Sequence, residues 1–429
     1  MLKKCITSII VAGIIISLVA INGVAGEKGK ENLVYWSLEI GNYPQEIPWF
    51  YEKLKVFQKE NPNVHIDFIE IPYETADAKM VAAFAGRTGA PDIFVGKTPY
   101  YAGGLHVAAP FPPDLERYCE RSINPKIAEF VKYEGKFYAW PVETDLGMML
   151  YVNEDMFKKA GLDPEKPPKT MDELVEYAKK LTIKDEAGRI RQGGFAVRYS
   201  GNPRGLADKW LPFLHAWNGR LYGPEGKKAS GYLNSPEVVE ALQFYGDLVH
   251  KYKVASITAK KPLEAFGGGF AAMFFREQWA VGWLRDNAPQ INYKIYPLPS
   301  KVKYPGISLL FTQAEMAYKF SPHLNTVWEW MKFIYNEEID MERAKLQGTL
   351  PVCMKNWEKP YITERPDYKV CKVILESPAS PYYGDPYINE IAFRVGEAVA
   401  EVLFGKKTAK EALDSAAPGI DEILAKKFL

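Results

Sequence analysis

The stretch AWPVETDLGMMLY, residues 139–151, combines the apolar content of a buried strand with two acids, Glu143 and Asp145. In an extended chain, residues two apart point to the same side, so these two carboxylates are expected to face the same space. A buried carboxylate is costly unless it is paired or hydrogen-bonded. The stretch therefore indicates a catalytic pair, a binding site for a polar ligand, or an internal ion pair.

Upstream of this stretch, the sequence predicts alternating strands and helices from Leu33 onward. Apolar residues alternate or cluster in the predicted strands, and they recur at helical spacing in the predicted helices. The strands are predicted at residues 33–39, 64–72 and 90–96, and the helices at 47–62 and 74–89. This alternation predicts an open α/β sheet, in which ligands bind at the carboxyl ends of the strands.

Downstream, residues 164–252 are predicted to be mainly helical. Thr170 and Glu173 have the spacing of a capping box, which marks the start of one of these helices. Strand patterns return at residues 271–275 and 293–299, and helical patterns return at 325–336, 388–405 and 407–428. The chain therefore contains a second α/β region that is richer in helices than the first.

Length, charge and motifs exclude several classes of protein. A chain of 429 residues is too long for one ordinary core, which predicts two large lobes. The balance of 54 basic and 53 acidic residues argues against a nucleic-acid-binding protein. The segment FGGGF, residues 266–270, lacks the spacing of a nucleotide-binding loop, and neither HExxH nor GxSxG occurs. No cofactor or metal site is predicted, because the chain has no CxxC and its five histidines are scattered.

The first 26 residues resemble an export signal. A short basic start, Met1–Lys4, precedes an apolar run that ends in small residues at Gly23–Ala25. This pattern is typical of a secretory signal peptide, and its alternative is an uncleaved membrane anchor. Both place the rest of the protein outside the cytoplasm. In that compartment, Cys353 and Cys371 could form a disulfide or remain two buried thiols.

Aromatic residues make up 14% of the chain, with 10 Trp and 26 Tyr. Their rings offer an apolar face and a polar edge, which is the combination that a sugar requires from its binding site. Each single Trp is more often a core residue, so the prediction depends on aromatic and acidic residues occurring together. The candidate ligand-binding residues are Trp36, Glu39, Tyr100, Glu143, Asp145, Trp210, Trp279, Tyr382 and Tyr383.

Seven segments, in this order, resemble the extracellular solute-binding proteins of ABC transporters, on the maltose/trehalose-binding branch of family 1. They are GAPDIFVG (89–96), EGKFYAWPVETDLGMMLYVNEDMFKKAGL (134–162), PPKTMDELVEYAKKLT (167–182), NSPEVVEALQFYGDLVHKYK (234–253), FGGGFAAMFFREQW (266–279), YPLP (296–299) and SPYYGDPYINEI (380–391). The resemblance spans nearly the whole chain after residue 26.

The resemblance implies a type II periplasmic-binding-protein-like fold, with two α/β lobes, three interlobe crossings and a sugar held between the lobes by hinge closure. Lobe 1 is expected to comprise residues 27–144 plus 291–346, and lobe 2 residues 145–290 plus 347–429. The implied partners are the sugar and the membrane permease subunits of an ABC transporter. The protein is expected to be a monomer without enzymatic activity, in the periplasm or at the outer face of the cell membrane.

The resemblance also implies roles for individual residues. Asp145 and Gly147 match an Asp-x-Gly pattern at the first crossing, with Asp145 as the hydroxyl acceptor and Glu143 beside it. Trp279 matches a Trp that stacks on the sugar, and Tyr382 and Tyr383 match an aromatic stretch that lines the second lobe.

Other functions stay open at this point. Same-face residues in a strand lie about 7 Å apart at Cα, which is compatible with the carboxylate pair of a glycoside hydrolase. Neighbours on one strand, however, present their carboxylates side by side rather than across a scissile bond.

Residues 97–100 also depart from the Trp or polar residues that often follow PDIFVG in the family. The sugar is therefore unspecified, and a non-sugar ligand such as a peptide, polyamine or phosphate ester is an alternative.

Overall fold

Two separate β-sheets organise the protein. The computed structural model describes residues 29–38, 45–87, 89–142, 147–258, 260–309, 312–378 and 380–428. Within these residues the larger sheet has five strands and the second has three, and two short hairpins complete the β-structure. The mixed α/β class predicted from the sequence is confirmed.

The five-stranded sheet has the spatial order β2-β1-β3-β12-β6. Strand β1 runs parallel to both β2 and β3, while β12 runs antiparallel to β3 and β6. The strands are β1 (Glu31–Ser37), β2 (Val64–Glu70), β3 (Ile93–Gly96), β6 (Ala139–Pro141) and β12 (Ala314–Ala317). Strand β12, from late in the chain, thus lies between β3 and β6, so this sheet combines strands from two distant parts of the sequence.

The three-stranded sheet has the order β10-β7-β11, and both outer strands run antiparallel to the central one. Its strands are β7 (Met148–Asn153), β10 (Met273–Glu277) and β11 (Tyr293–Tyr296), and the hairpins are β4 (Lys132–Tyr133) with β5 (Lys136–Phe137) and β8 (Ile183–Lys184) with β9 (Ile190–Gln192). All six residues of β7 are buried, as expected for an apolar run at the centre of a sheet.

The stretch 139–151 does not form one continuous strand. Its beginning is β6 in the larger sheet and its end is β7 in the smaller one, so the chain passes from one sheet to the other between residues 142 and 147. The chain returns to the larger sheet between β11 and β12. Glu143 and Asp145 lie outside the described residues, and their predicted common orientation stays a prediction.

The assignment of residues 291–346 to the first lobe is wrong at its beginning. Strand β11 pairs with β7 through Tyr293 opposite Asn153 and Tyr296 opposite Leu150, so it belongs to the second lobe. The sequence pattern identified the strand correctly, but the pattern of one strand does not reveal which sheet it joins. The return to the first lobe follows this strand rather than preceding it.

Sixteen α-helices surround the two sheets in the described part of the chain. Those that precede β7 or follow β12 up to Gln347 are α1 (Glu46–Glu60), α2 (Tyr73–Gly86), α3 (Pro113–Ser122), α4 (Pro125–Ala128), α11 (Leu324–Ile334) and α12 (Glu337–Gln347). The others are α5 (Glu154–Lys159), α6 (Met171–Leu181), α7 (Pro203–Ala216), α8 (Pro236–His250), α9 (Pro262–Gly267), α10 (Ala280–Asn287), α13 (Pro360–Thr363), α14 (Tyr368–Glu376), α15 (Ile388–Leu403) and α16 (Ala409–Ala425).

Local sequence signals account for several of these helices. The predicted capping box is confirmed, since the Thr170 hydroxyl accepts from the Glu173 amide and the Glu173 carboxylate accepts from the Thr170 amide. Helix α1 buries Phe50, Leu54 and Phe57, which recur at helical spacing. Burying each of these side chains contributes about 1.5–3 kcal/mol.

The second lobe is built around α7, which packs against α8 and α15, while α15 also packs against α16. Cys119, Cys353 and Cys371 are buried thiols, so Cys353 and Cys371 take the second of the two predicted alternatives. Among the described residues, no helix combines the length and apolar character needed to cross a bilayer.

Candidate functional site

The carboxyl ends of β1 and β3 form one wall of the candidate site. These neighbouring strands are parallel, with Tyr35 opposite Ile93 and Trp36 opposite Phe94, so they end at the same edge of the sheet. The indole Nε1 of Trp36 and the Oγ1 of Thr98 are buried at this edge and have no hydrogen-bond partner within the described structure. A buried polar atom without a partner is costly, so both atoms are suited to bind polar groups of a ligand.

Helix α7 provides charged side chains from the second lobe. The Asn202 side chain accepts from the Arg204 amide at 3.0 Å and Pro203 occupies the first helical position, so the helix begins with a cap and a pre-set backbone. Arg204 and Asp208 are four residues apart and lie on the same side of α7. Both are buried, as is Lys209.

Residues of the two lobes meet where β3 faces the short helical turn Pro381–Gly384. The Tyr383 hydroxyl donates to Oδ1 of Asp208, and the Lys97 ammonium lies 4.6 Å from the centroid of the Tyr383 ring. Burial lowers the pKa of Lys97 to about 8, although Asp208 opposes this shift. We call Trp36, Lys97, Thr98, Asp208 and Tyr383 the interlobe site.

A buried ion pair lies next to the interlobe site, because Lys209 directly follows Asp208 in α7. Lys209 on α7 pairs with Glu277 at the end of β10, and Arg276 lies 3.4 Å from the second oxygen of Glu277. Burial alone would raise the pKa of Glu277, but the cations of Lys209 and Arg276 lower it to about 2. The carboxylate therefore stays ionised and holds both cations in place.

Trp279 lies beside this ion pair, at the residue that precedes α10. It is partly exposed, and the Arg276 guanidinium lies 4.6 Å from its ring centroid. Cation–π stacking of this kind restrains the orientation of the indole. Trp279 thus keeps an accessible ring next to the interlobe charges, which is compatible with its predicted stacking role.

Other predicted site residues occupy packing positions. Trp210 is completely buried in α7, and it lies two residues from Asp208, which places it on the opposite side of the helix. The Tyr382 hydroxyl accepts from the Leu221 amide at 2.9 Å, and its ring stacks on His215 at 5.6 Å. Both side chains are packed in the interior of the second lobe, and their ligand-binding roles stay predictions.

Tyr100 lies in a π-helical turn, Tyr100–Gly104, that follows β3. It is buried, and its ring contacts Tyr101 edge-on at 5.1 Å. Glu39, Glu143 and Asp145 lie outside the described residues, so their ligand-binding roles stay predictions. Among the predicted aromatic residues, Tyr383 contacts Asp208 and Lys97, and Trp36 lies at the neighbouring strand end; their ligand-binding roles also stay predictions.

The sequence reasoning did not include Lys97, Thr98 and Asp208 of the interlobe site, or the nearby Arg204. Lys97 stood out only as a departure from the pattern that follows PDIFVG. The segment 203–217, PRGLADKWLPFLHAW, did carry a signal, because three charged residues interrupt an otherwise apolar run. Charges on such a run indicate a buried polar surface. No group of three or more His, Cys, Asp or Glu side chains arranged to hold a metal ion occurs among the described residues.

Comparisons with known proteins place this site in context. The sequence profile of the bacterial extracellular solute-binding proteins matches residues 54–368, which is more than half of the chain. The sn-glycerol-3-phosphate-binding periplasmic protein UgpB of Pectobacterium atrosepticum is 25% identical to the chain, over 91% of each protein.

Solved structures show the same fold. An ABC transporter solute-binding protein from Thermotoga lettingae, bound with α-D-tagatose, superposes with a TM-score of 0.79 at 24% identity and covers 92% of this chain and 100% of its own. The maltose/maltodextrin-binding domain MalE from Bdellovibrio bacteriovorus, bound to maltotriose, has a TM-score of 0.78 at 20% identity with the same coverage of both chains. These similarities identify the type II periplasmic-binding-protein fold.

Proposed function

Because the chain belongs to the bacterial extracellular solute-binding proteins, we propose that it captures a sugar between its two lobes and delivers it to the permease of an ABC transporter. Membership in this family makes the chain a solute-binding protein and not a hydrolase. The names of its structural relatives, which bind tagatose and maltotriose, support a sugar as the ligand. More specifically, we propose that this sugar is an oligosaccharide.

The observation that carries the proposal is the buried and unpartnered Oγ1 of Thr98, together with Nε1 of Trp36. A sugar hydroxyl can donate to the first atom and accept from the second. The interlobe site also combines an aromatic ring, Tyr383, with a carboxylate, Asp208. Sugars need both, since their ring faces are apolar and their edges carry hydroxyl groups.

We propose that residues 1–26 export the protein, as a cleaved signal peptide or a retained anchor. The site then lies outside the cytoplasm, where a solute-binding protein meets its ligand. The proposed partners are the sugar and the permease subunits, with the protein acting as a monomer and without nucleic acid. Closure around the sugar would present both lobes together to the permease, since only the loaded shape brings the two lobe faces side by side.

Two alternatives remain useful as contrasts. A glycoside hydrolase using Glu143 and Asp145 would release shortened products from an oligosaccharide, whereas a binding protein releases none. A phosphate ester is the second contrast, supported by the cationic Lys97 and by the name of the relative from Pectobacterium atrosepticum. Against it, Asp208 already lies near this cation, and residues 143–146 add two acids and no base.

A thermal-shift screen tests the proposal, because a ligand that binds only the folded protein raises the melting temperature. The panel comprises D-tagatose, maltose, maltotriose, ribitol and glycerol 3-phosphate. We expect at least one neutral sugar to raise the melting temperature more than glycerol 3-phosphate does. Chromatography of the incubated sugars should show no cleavage. A shift with glycerol 3-phosphate alone would replace the sugar with a phosphate ester.

Thr98→Val is the matched variant for this screen. The Thr98 hydroxyl makes no hydrogen bond within the described protein, so its removal costs none, and the ligand-free melting temperature should not fall. The shift produced by the sugar should shrink, because the ligand loses an acceptor. An unchanged shift would place the ligand elsewhere.

A further inference from the structure

A salt bridge joins the two lobes directly. The guanidinium Nη1 of Arg204, on α7 of the second lobe, lies 2.8 Å from Oδ2 of Asp77, on α2 of the first lobe, and donates to Oδ1 at 2.9 Å. The Arg204 side chain is 3% exposed and that of Asp77 is 31% exposed. The contact is therefore almost dry on the arginine side and open to water on the aspartate side.

Further contacts surround this pair, again between residues of different lobes. The Arg204 Nε donates to the Tyr73 hydroxyl at 3.4 Å, and the guanidinium lies 5.0 Å from the Tyr73 ring centroid. The side-chain amide of Asn389, in the first turn of α15, donates to Oδ1 of Asp77 at 3.5 Å. The first turns of α2 and α15 thus both supply partners to the pair.

The backbones of the two lobes also approach closely on this side. A Cβ on Gly104 would lie 2.5 Å from the carbonyl oxygen of Pro386, and a Cβ on Gly201 would lie 3.0 Å from the Glu74 carboxylate. Direct contact of this kind requires no ligand between the surfaces. The lobes therefore touch along the α2 side through protein atoms alone.

The buried charge of Arg204 makes the closed arrangement of the lobes depend on Asp77. When the lobes separate, water can solvate the guanidinium, and when they meet, that water is lost. A buried cation is costly unless a carboxylate compensates it, so the closed arrangement depends on Asp77 more than the open one does. The pair consequently stabilises the closed arrangement of the lobes relative to the open one.

We infer that Asp77 and Arg204 form a ligand-independent interlobe contact that sets the closed fraction of the empty protein, and through it the ligand affinity. This inference rests on the proposed capture of a ligand between the lobes. The apparent dissociation constant equals the intrinsic one divided by the closed, binding-competent fraction. Asp77 therefore acts as a positioning residue: it changes the affinity without touching the ligand.

Asp77→Asn tests the inference, since it removes the compensating charge from a partly exposed position and leaves the core of each lobe intact. Small-angle scattering of the ligand-free protein is the primary measurement. We expect the radius of gyration of Asp77→Asn to exceed that of the parent. Glu240→Gln is the matched control, because it removes an equal charge from the Lys301–Glu240 pair without affecting the contact between α2 and α7.

A double variant separates positioning from simple loss of structure. Asp77→Leu combined with Arg204→Met replaces the ion pair by apolar side chains, which can meet without a buried charge. Its ligand-free radius of gyration should return toward the parent value. Equal radii for the parent and for Asp77→Asn without ligand would overturn the inference.

Titration completes the test with whichever panel member raises the melting temperature of the parent. The dissociation constant of Asp77→Asn should rise by about three- to tenfold, which is the expected fall in the closed fraction. The saturated variant and the saturated parent should have the same radius of gyration. If Arg204 bound the ligand directly, affinity would change while the empty proteins scattered alike. Failure of every panel member would instead contradict the proposed function, while the ligand-free scattering would still decide the interlobe contact.

Discussion

Gly147 and Leu309 bring the two passages between the sheets into backbone contact. Gly147 has a φ of +77°, and a Cβ on it would lie 1.5 Å from the Leu309 carbonyl oxygen and 2.6 Å from Oγ of Ser308. The same Ser308 hydroxyl donates to the Met148 carbonyl at 2.8 Å. A side chain would strain this backbone conformation and would overlap the Leu309 carbonyl, so both the conformation and the space favour glycine.

Gly147→Ala is expected to lower the free energy of unfolding by about 2–5 kcal/mol, the sum of a left-handed backbone and an overpacked contact. Gly161→Ala is the matched control, since Gly161 has a φ of +70° and no atom within 4 Å of the added Cβ. It should lose about 1–2 kcal/mol, from the backbone alone. Urea denaturation measures both, and equal losses would refute the close contact.

Tyr383→Phe should weaken ligand binding by about 1–3 kcal/mol, because Asp208 loses the donor that orients its buried carboxylate. The ring under Lys97 is kept. Tyr382→Phe removes the acceptor of the Leu221 amide and should lower stability while leaving affinity unchanged. Calorimetric titration distinguishes them. If only Tyr382→Phe weakened binding, Tyr382 rather than Tyr383 would be the residue that affects the ligand.

Trp279→Ala should weaken ligand binding by about 1–3 kcal/mol, the range for a large side chain that is buried by the ligand. Its partial exposure predicts a small effect on folding. Trp210→Phe should show the opposite pattern, since Trp210 is completely buried in the second lobe. Affinity and melting temperature are measured for both variants. If Trp279→Ala binds as tightly as the parent, Trp279 does not stack on the ligand.

His215 predicts a pH dependence of stability. Burial lowers its pKa from 6.5 to about 4, so between these values the unfolded chain binds more protons than the folded one. Stability therefore falls as the pH decreases through this window, by up to about 1.4 kcal/mol for each pH unit. Glu277 adds to the slope only as the pH approaches 4.5, the pKa of its carboxyl in the unfolded chain, because the folded protein keeps this carboxyl ionised down to a pKa of about 2.

His215→Gln isolates this effect, because glutamine does not titrate and can still reach the Ser380 hydroxyl, which lies 2.9 Å from Nε2 of His215. The free energy of unfolding is measured between pH 6.5 and 5. The parent should lose stability more steeply than the variant. Parallel slopes would show that His215 is not held neutral by burial.

The local elements of this protein could be predicted from its sequence because their causes are local. Helix α1 follows from apolar residues at helical spacing, and the start of α6 follows from Thr170 and Glu173. The passage between the lobes in the stretch 139–151 was implied by the family resemblance, through Asp145 and Gly147. Family resemblance supplied the two-lobe fold in advance of the structure.

Only the tertiary structure decided which side chains meet. Strand β11 belongs to the second lobe because it pairs with β7. This pairing could not be predicted, since β7 lies about 140 residues earlier in the chain and no local pattern encodes so distant a contact. Trp210 and Asp208 are two residues apart, yet packing buries the first in a core and directs the second to Tyr383. The sequence by itself determined where strands and helices lie, through periodicity and caps, because both depend on residues that are close along the chain. The contacts of Lys97 with Tyr383 and of Asp77 with Arg204 depend on two lobes meeting, which is a property of the folded chain alone.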